Sequence, residues 1–218
     1  MALNPATDLR PPQQPRLPAA PSDYDPNYAN QFNNILRLYF NQLDNSLGSL
    51  LNKIGGVFLR NPYGAFSDYN NQTTTANTAT VMGLTTTDFS NGVTISSSKI
   101  TVENAGIYNL QFSTQFINTA VQLHDVSIWL RQNGTDIVGS TGFISIPNSH
   151  GGIEGHSITG WNYFLSMAAN DYVEIYWSTT NAAVSIATYA ASTGPVRPST
   201  ASVVATMSFA SAPPIAAV

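Results

Sequence analysis

Residues Thr101–Phe116 read TVENAGIYNLQFSTQF, and no other segment of the chain alternates as cleanly. Tyr108, Leu110, Phe112, Thr114 and Phe116 share one parity, while Asn109, Gln111, Ser113 and Gln115 take the other. Successive side chains of an extended strand point to opposite faces, so this is a strand with one dry side and one wet side. Ala105-Gly106 just before it reads as a turn. No catalytic motif accompanies the pattern, so function has to be read from architecture.

The alternation continues on both sides of this strand. Thr73-Thr74-Thr75, Thr78 and Thr80 open a β-rich region, and Thr85-Thr86-Thr87 leads through Phe89 to a predicted turn at Asn91-Gly92. Val126, Ile128 and Leu130 alternate with Ser127, Trp129 and Arg131, and Asn133-Gly134 then turns the chain into Ile137-Val138, a hairpin signal. Segments 158–165, 172–177, 184–189 and 202–209 supply further strands, with 168–171 as the turn between two of them. Val173, Ile175 and Phe209 join Tyr108, Leu110, Phe112 and Phe116 as the predicted core. Many short strands without cysteine or internal repeat imply a sandwich or jelly roll, assigned to residues 73–212 with a tail at 213–218.

Upstream the pattern changes twice. Residues 1–24 carry prolines at 5, 11, 12, 15, 18 and 21, which forbid a helix and favour an extended, polyproline-like arm. Leu9, Arg10, Arg16 and Leu17 are its candidate anchoring residues, the alternative being a solvated leader without a role. Asp25-Pro26 then starts a helix, since Asp caps free amides and Pro fits the first helical position. Tyr28, Phe32, Ile35, Tyr39, Leu43, Leu47, Leu50 and Ile54 make one apolar stripe that ends at Gly55-Gly56, giving a predicted helix over 25–56 and a connector over 57–72. The mean step is about 3.7 residues, longer than the 3.5 of a left-handed coiled coil, which predicts a nearly straight or slightly right-handed bundle. Such a stripe needs cover, either from the chain's own β domain or from copies of the same helix.

Composition narrows the partners. Of 218 residues, 43% are hydrophobic and only 9% charged, against about 25% in ordinary soluble domains. The eight Lys and Arg are scattered and the net charge is −4, so there is no basic stripe to neutralise phosphates and nucleic acid is not expected as a partner. With no cysteine there is neither a disulfide framework nor a thiolate metal site. MALNPATDLRPP meets proline before any apolar run, and no stretch of about 20 apolar residues occurs, so neither a cleaved leader nor membrane insertion is expected.

Several anchors resemble the complement globular-head and tumour-necrosis-factor jelly-roll superfamily. Val102, Gly106, Tyr108 and Phe112 match its V-x-x-x-G-x-Y-x-x-x-F core strand, SIWLRQNGTDI its L-x-x-N-G hairpin, and GWNYFLSMAANDYVEIYW its L-x-x-G-D-x-V pair, with Asn170-Asp171 in place of Gly-Asp. SVVATMSFA resembles the closing strand. The resemblance spans about residues 65–210 and implies a homotrimer packed around an axis, here with a helical stalk before the head. The arm, the helix motif from Tyr24-Asp25 to Leu43-Asp44-Asn45 and the head together are similar to small virion structural proteins of tailed bacteriophages. That likeness implies a non-enzymatic virion component, a capsid decoration or short tail fibre assembled in the host cytoplasm, contacting other virion proteins and a host surface glycan or protein. It implies no cofactor and no metal.

Three constellations compete with this reading. His150, Glu154 and His156 in NSHGGIEGH read first as a flexible loop, and would make a metal site only if three copies met at an axis. His124-Asp125 invites a hydrolase triad, but adjacent strand residues face opposite ways and no nucleophile elbow exists. Trp129, Trp161, Tyr163, Tyr172, Tyr176 and Tyr189 lie on alternating strands, some for the core, others free to bind carbohydrate or a neighbouring subunit.

Overall fold

The computed structural model describes residues 13–51 and 61–212, the side chains of 49–51 excepted. The chain divides into two compact units, Met1–Arg60 and Asn61–Val218. In the first, a helix α1 (Pro26–Leu51) begins where Asp25 Oδ1 accepts the Asn27 amide at 2.8 Å, a side-chain cap on an otherwise unpaired donor. The proline-rich segment before it has no helix or strand over 13–21 and bends at Ser22-Asp23. Leu9, Arg10 and Ile54 lie outside the described residues, as do the side chain of Leu50 and the tail 213–218.

The second unit is built from ten strands of four or more residues. They are β1 (Tyr63–Asp68), β2 (Thr86–Asn91), β3 (Val93–Ser96), β4 (Lys99–Val102), β5 (Gly106–Asn118), β6 (His124–Gln132), β7 (Gly142–Ile146), β8 (Gly155–Met167), β9 (Tyr172–Thr179) and β10 (Val203–Ser211). One antiparallel sheet runs β8-β5-β10-β1-β2 and the other β7-β6-β9-β4-β3, with shorter segments extending both. The protein is mainly β, a sandwich of two antiparallel sheets, with one long helix ahead of it. The chain changes sheet between β2 and β3, β4 and β5, β5 and β6, β7 and β8, β8 and β9, and β9 and β10. Its pairings are therefore mostly non-local.

The TVENAGIYNLQFSTQF segment is the middle of the first sheet. β5 pairs with β8 over its whole length, from Gly106↔Met167 to Asn118↔Gly155, and with β10 along its other edge. Tyr108, Leu110, Phe112 and Phe116 are buried, as are Val173, Ile175 and Phe209, while Gln111 and Ser113 are exposed. Rings close the core: Tyr108 meets Phe209 edge-on at 5.6 Å, Phe112 meets Trp161 at 4.8 Å, and Phe116 packs on Trp177 at 5.6 Å. Burial, aided by the charge of Glu103, pushes the Tyr108 hydroxyl up to about 12, and that hydroxyl donates to the Asn104 carbonyl at 2.8 Å.

Three sequence expectations are corrected. Gly106 does not serve as a turn: it opens β5, where a Cβ would sit 2.4 Å from the Phe209 ring, so its smallness is what lets β10 close over β5. Asn91-Gly92 is not a hairpin turn, because β2 and β3 belong to different sheets; with Gly92 at φ +67° it is a corner between them. The tight hairpin lies at Ser97-Ser98, both at positive φ, joining β3 to β4 with Ser96↔Lys99 as its last pair. Finally, β1 falls inside the segment assigned as connector, where YGAFSD lacks the alternation of a half-wet strand because Gly64–Asp68 is buried on both faces. Two local readings hold. Asn133-Gly134 turns with φ +50° and +81°, and Asn170 takes the left-handed conformation at φ +69° that its glycine-like position requires.

Buried Asp68 sits at the end of β1 with no basic partner among the described residues. Its carboxylate accepts from Thr85 Oγ1 (2.5 Å), Asn70 Nδ2 (2.9 Å), the Asn70 amide (3.2 Å), Gln72 Nε2 (2.9 Å) and Ser202 Oγ (3.2 Å). Burial raises its pKa, but the bonds from Thr85, Asn70 and Gln72 outweigh that and hold it below the ordinary 3.8. One side chain thus ties together the ends of β1 and β10 and the 69–85 crossing.

Candidate interaction surfaces

The proline-rich arm and the helix form the first surface. Gln13–Arg16 lie across a groove of about 660 Å³ from Ile35, Leu38, Tyr39 and Gln42. Ala20–Asp25 line a second groove with Tyr28, Ala29 and Phe32. The arm therefore runs antiparallel to α1 along one flank. This divides the predicted stripe: Tyr28, Phe32, Ile35 and Tyr39 face the chain's own arm, whereas Leu43 and Leu47 do not line either groove. Tyr28 and Phe32 stack at 6.1 Å. Phe40 is 54% exposed and Leu47 44% exposed, beside half-buried Leu36 and Leu43. Of the anchoring arm, Arg16 and Leu17 are exposed.

The outer face of the β8-β5-β10-β1-β2 sheet is the second surface. β8 sends His156, Ile158, Asn162, Phe164 and Ser166 outward, with Ile158 72% exposed and Phe164 60% exposed. β5 adds Gln111 and Ser113 between them, β10 adds Val204, and Tyr63 and Phe89 pack at 6.0 Å at the far edge. The centre of this face is polar and its flanks apolar.

The third surface is aromatic and lies on the outer face of β6 and β9. Trp129 and Tyr176 are direct cross-strand partners, 5.8 Å apart. The Arg131 guanidinium lies 3.9 Å from the Tyr176 ring centroid, and Arg131 Nε and Trp129 Nε1 both donate to Asp136 Oδ1 at 2.8 Å. The Arg131 bond, followed by that from Trp129, holds the Asp136 carboxyl below its usual range, and the same bond raises Arg131. Lys99 stands over Tyr172 at 4.3 Å. Neighbours thereby orient a half-buried patch of flat rings. Of the other aromatics singled out, Trp161 packs inward on Phe112, and Tyr189 meets His156 at 5.9 Å.

The remaining constellations separate. His150 pairs with Ile153 across Gly151-Gly152, both at positive φ, so NSHGGI is a tight β-bridge. Glu154 and His156 instead approach the Tyr189 hydroxyl at 3.4 and 3.3 Å, and no cluster of three metal-ligating side chains occurs among the described residues. Asp125 accepts from Ser145 at 2.6 Å on the face opposite His124. No helix among the described residues is long and apolar enough to cross a membrane. No protein-family model and no curated protein matches the chain. The sequence signals missed were Leu36 and Phe40, passed over because the 3.7-residue stripe runs beside them, and the Asp136 carboxylate that pins Trp129 and Arg131.

Proposed function

We propose that this chain is a non-enzymatic structural protein of a bacteriophage particle, a homotrimer anchored by its arm and helix with a jelly-roll head turned outward. The observation that carries the reading is that each unit, taken by itself, leaves apolar side chains uncovered, Phe40 and Leu47 on the helix and Ile158 and Phe164 on the sandwich, and copies or partners would cover them. The alternation of strands between the two sheets supports the jelly-roll assignment, since that topology interleaves sequential strands across a sandwich. The resemblance of the Val102–Phe112 anchors supports three-fold packing through the β8-β5-β10-β1-β2 face.

Two placements follow from the same geometry. As a capsid decoration the arm and helix clamp the shell; as a short tail fibre the head meets the host surface. Quantitative mass spectrometry of purified particles tests the reading: many copies per particle give decoration, few give a fibre, and absence from particles overturns both. The second reading is a soluble trimeric module that binds carbohydrate or another ligand. The Trp129–Tyr176–Arg131–Asp136 patch favours it, because pre-oriented rings stack on sugar faces and the carboxylate and guanidinium suit hydroxyl pairs.

A further inference from the structure

The stripe divided by the arm leaves a second repeat on α1. Leu36, Leu43 and Leu50 recur every seven residues, and so do Phe40 and Leu47, which Ile54 continues in the sequence. The steps between successive members are 4, 3, 4, 3 and 4. Alternate steps of three and four are the a/d spacing of a left-handed coiled coil. Tyr28, Phe32, Ile35 and Tyr39 fall outside this repeat and line the two arm grooves.

We propose that Leu36, Phe40, Leu43 and Leu47 form the seam along which copies of this helix pack in parallel, while Tyr28, Phe32, Ile35 and Tyr39 are reserved for each chain's own arm. The inference rests on the trimer reading and specifies its contact. The arm, docked on one flank, takes Tyr28, Phe32, Ile35 and Tyr39; Leu38, 60% exposed, stays at the rim of the arm groove, and the apolar side chains of the other flank form one heptad seam, which selects a left-handed supercoil over the nearly straight bundle that the undivided stripe implies. Area argues for three copies over two. At about 1.5 Å per residue α1 is roughly 39 Å long, and a contact about 10 Å wide covers roughly 400 Å² of each helix. That is about half of what one partner of a stable complex presents. In a three-stranded bundle each helix has two neighbours, and the deficit closes.

The chain lacks cysteine, so single-cysteine variants report contacts without background. Phe40→Cys and Leu43→Cys should give disulfide-linked dimers of the full chain under mild oxidation, and Ile35→Cys should not. In sedimentation over a dilution series, Phe40→Glu with Leu47→Glu should dissociate to a species of 23.4 kDa at higher concentration than the wild type, because only the head contact then holds the trimer. Ile35→Glu with Tyr39→Glu should keep the trimer but free the arm, seen as faster tryptic cleavage after Arg16. Cross-linking through Ile35→Cys as efficient as through Phe40→Cys, or a wild-type oligomer indifferent to the seam glutamates, overturns the seam and leaves the trimer reading standing. A wild type that sediments as a monomer at micromolar concentration overturns both.

Discussion

Replacing Asp68 by Asn changes one atom of the buried network at the end of β1. The amide nitrogen cannot take the place of Oδ2, because that oxygen faces the Asn70 amide and Gln72 Nε2, and Gln72 is held by Gly83 N on its own Oε1 at 2.7 Å. It must take the place of Oδ1, where the Thr85 hydroxyl can rotate to accept and the Asn70 side chain can flip. Three bonds then persist but lose the charge of the acceptor. A bond to a charged group contributes about 1.5–3 kcal/mol and a neutral one about 0.5–1.5, a difference of about 1–1.5 for each of the three, so the variant should lose about 3–4.5 kcal/mol. For a chain of this size that is a drop in Tm on the order of 10 °C. All three tryptophans lie in the sandwich, so urea unfolding followed by their fluorescence at fixed protein concentration reads this unit. The sign of the pH dependence is fixed. The folded pKa of Asp68 lies below the unfolded value, so its contribution is present above about pH 4 and is lost as pH falls through the folded pKa. The gap between wild type and Asp68→Asn should therefore shrink in acid. Exposed Asp88→Asn, whose carboxylate accepts a single bond from Ser67 Oγ at 3.0 Å, is the comparison and should cost only about 1 kcal/mol. An Asp68→Asn variant within 0.5 kcal/mol of wild type at pH 7, or a gap that does not shrink by pH 3, refutes the reasoning.

Phe112→Ala empties the contact with Trp161 and should cost about 3–5 kcal/mol, whereas Gln111→Ala, one residue earlier on the exposed face, should cost little unless that face is an interface; equal small losses in urea titrations would sink the assignment of the dry face. Gly106→Ala should destabilise by about 1–3 kcal/mol, because the Phe209 ring is wedged against Tyr108 and cannot yield; a neutral melting curve would contradict this. Tyr108 should resist ionisation in an ultraviolet titration until near pH 12, and since its folded pKa is raised above the unfolded value of 10, the stability it lends is present below pH 10 and lost between pH 10 and 12. A titration in which every tyrosine ionises near pH 10 would contradict the burial of that hydroxyl. Trp129→Ala should abolish any binding to a carbohydrate array at a cost of about 1–3 kcal/mol in urea, since the half-buried ring packs on Tyr176 and donates to Asp136; a ligand held equally well would move the site off the β6/β9 face.

Local patterns determined much of this protein. Alternation alone identifies β5 and its dry face, because a period of two is a property of the extended backbone and does not depend on what covers the strand. Asp25-Pro26 starts the helix, and Asn133-Gly134 and Asn170 turn, because capping and positive φ are decided by the residue itself. Gly106, Asn91-Gly92 and β1 were misread for one common reason. Each depends on a segment distant in sequence: Phe209 lies over Gly106, the two sheets part at Gly92, and β1 is buried on both faces between β2 and β10. The buried Asp68 shows the same limit, since its donors come from Asn70, Thr85 and Ser202. The helix stripe is the intermediate case. Its apolar spacing is plain in the sequence, but which flank stays free was decided only when the arm, whose prolines merely prescribe an extended chain, folded back along Tyr28, Phe32, Ile35 and Tyr39.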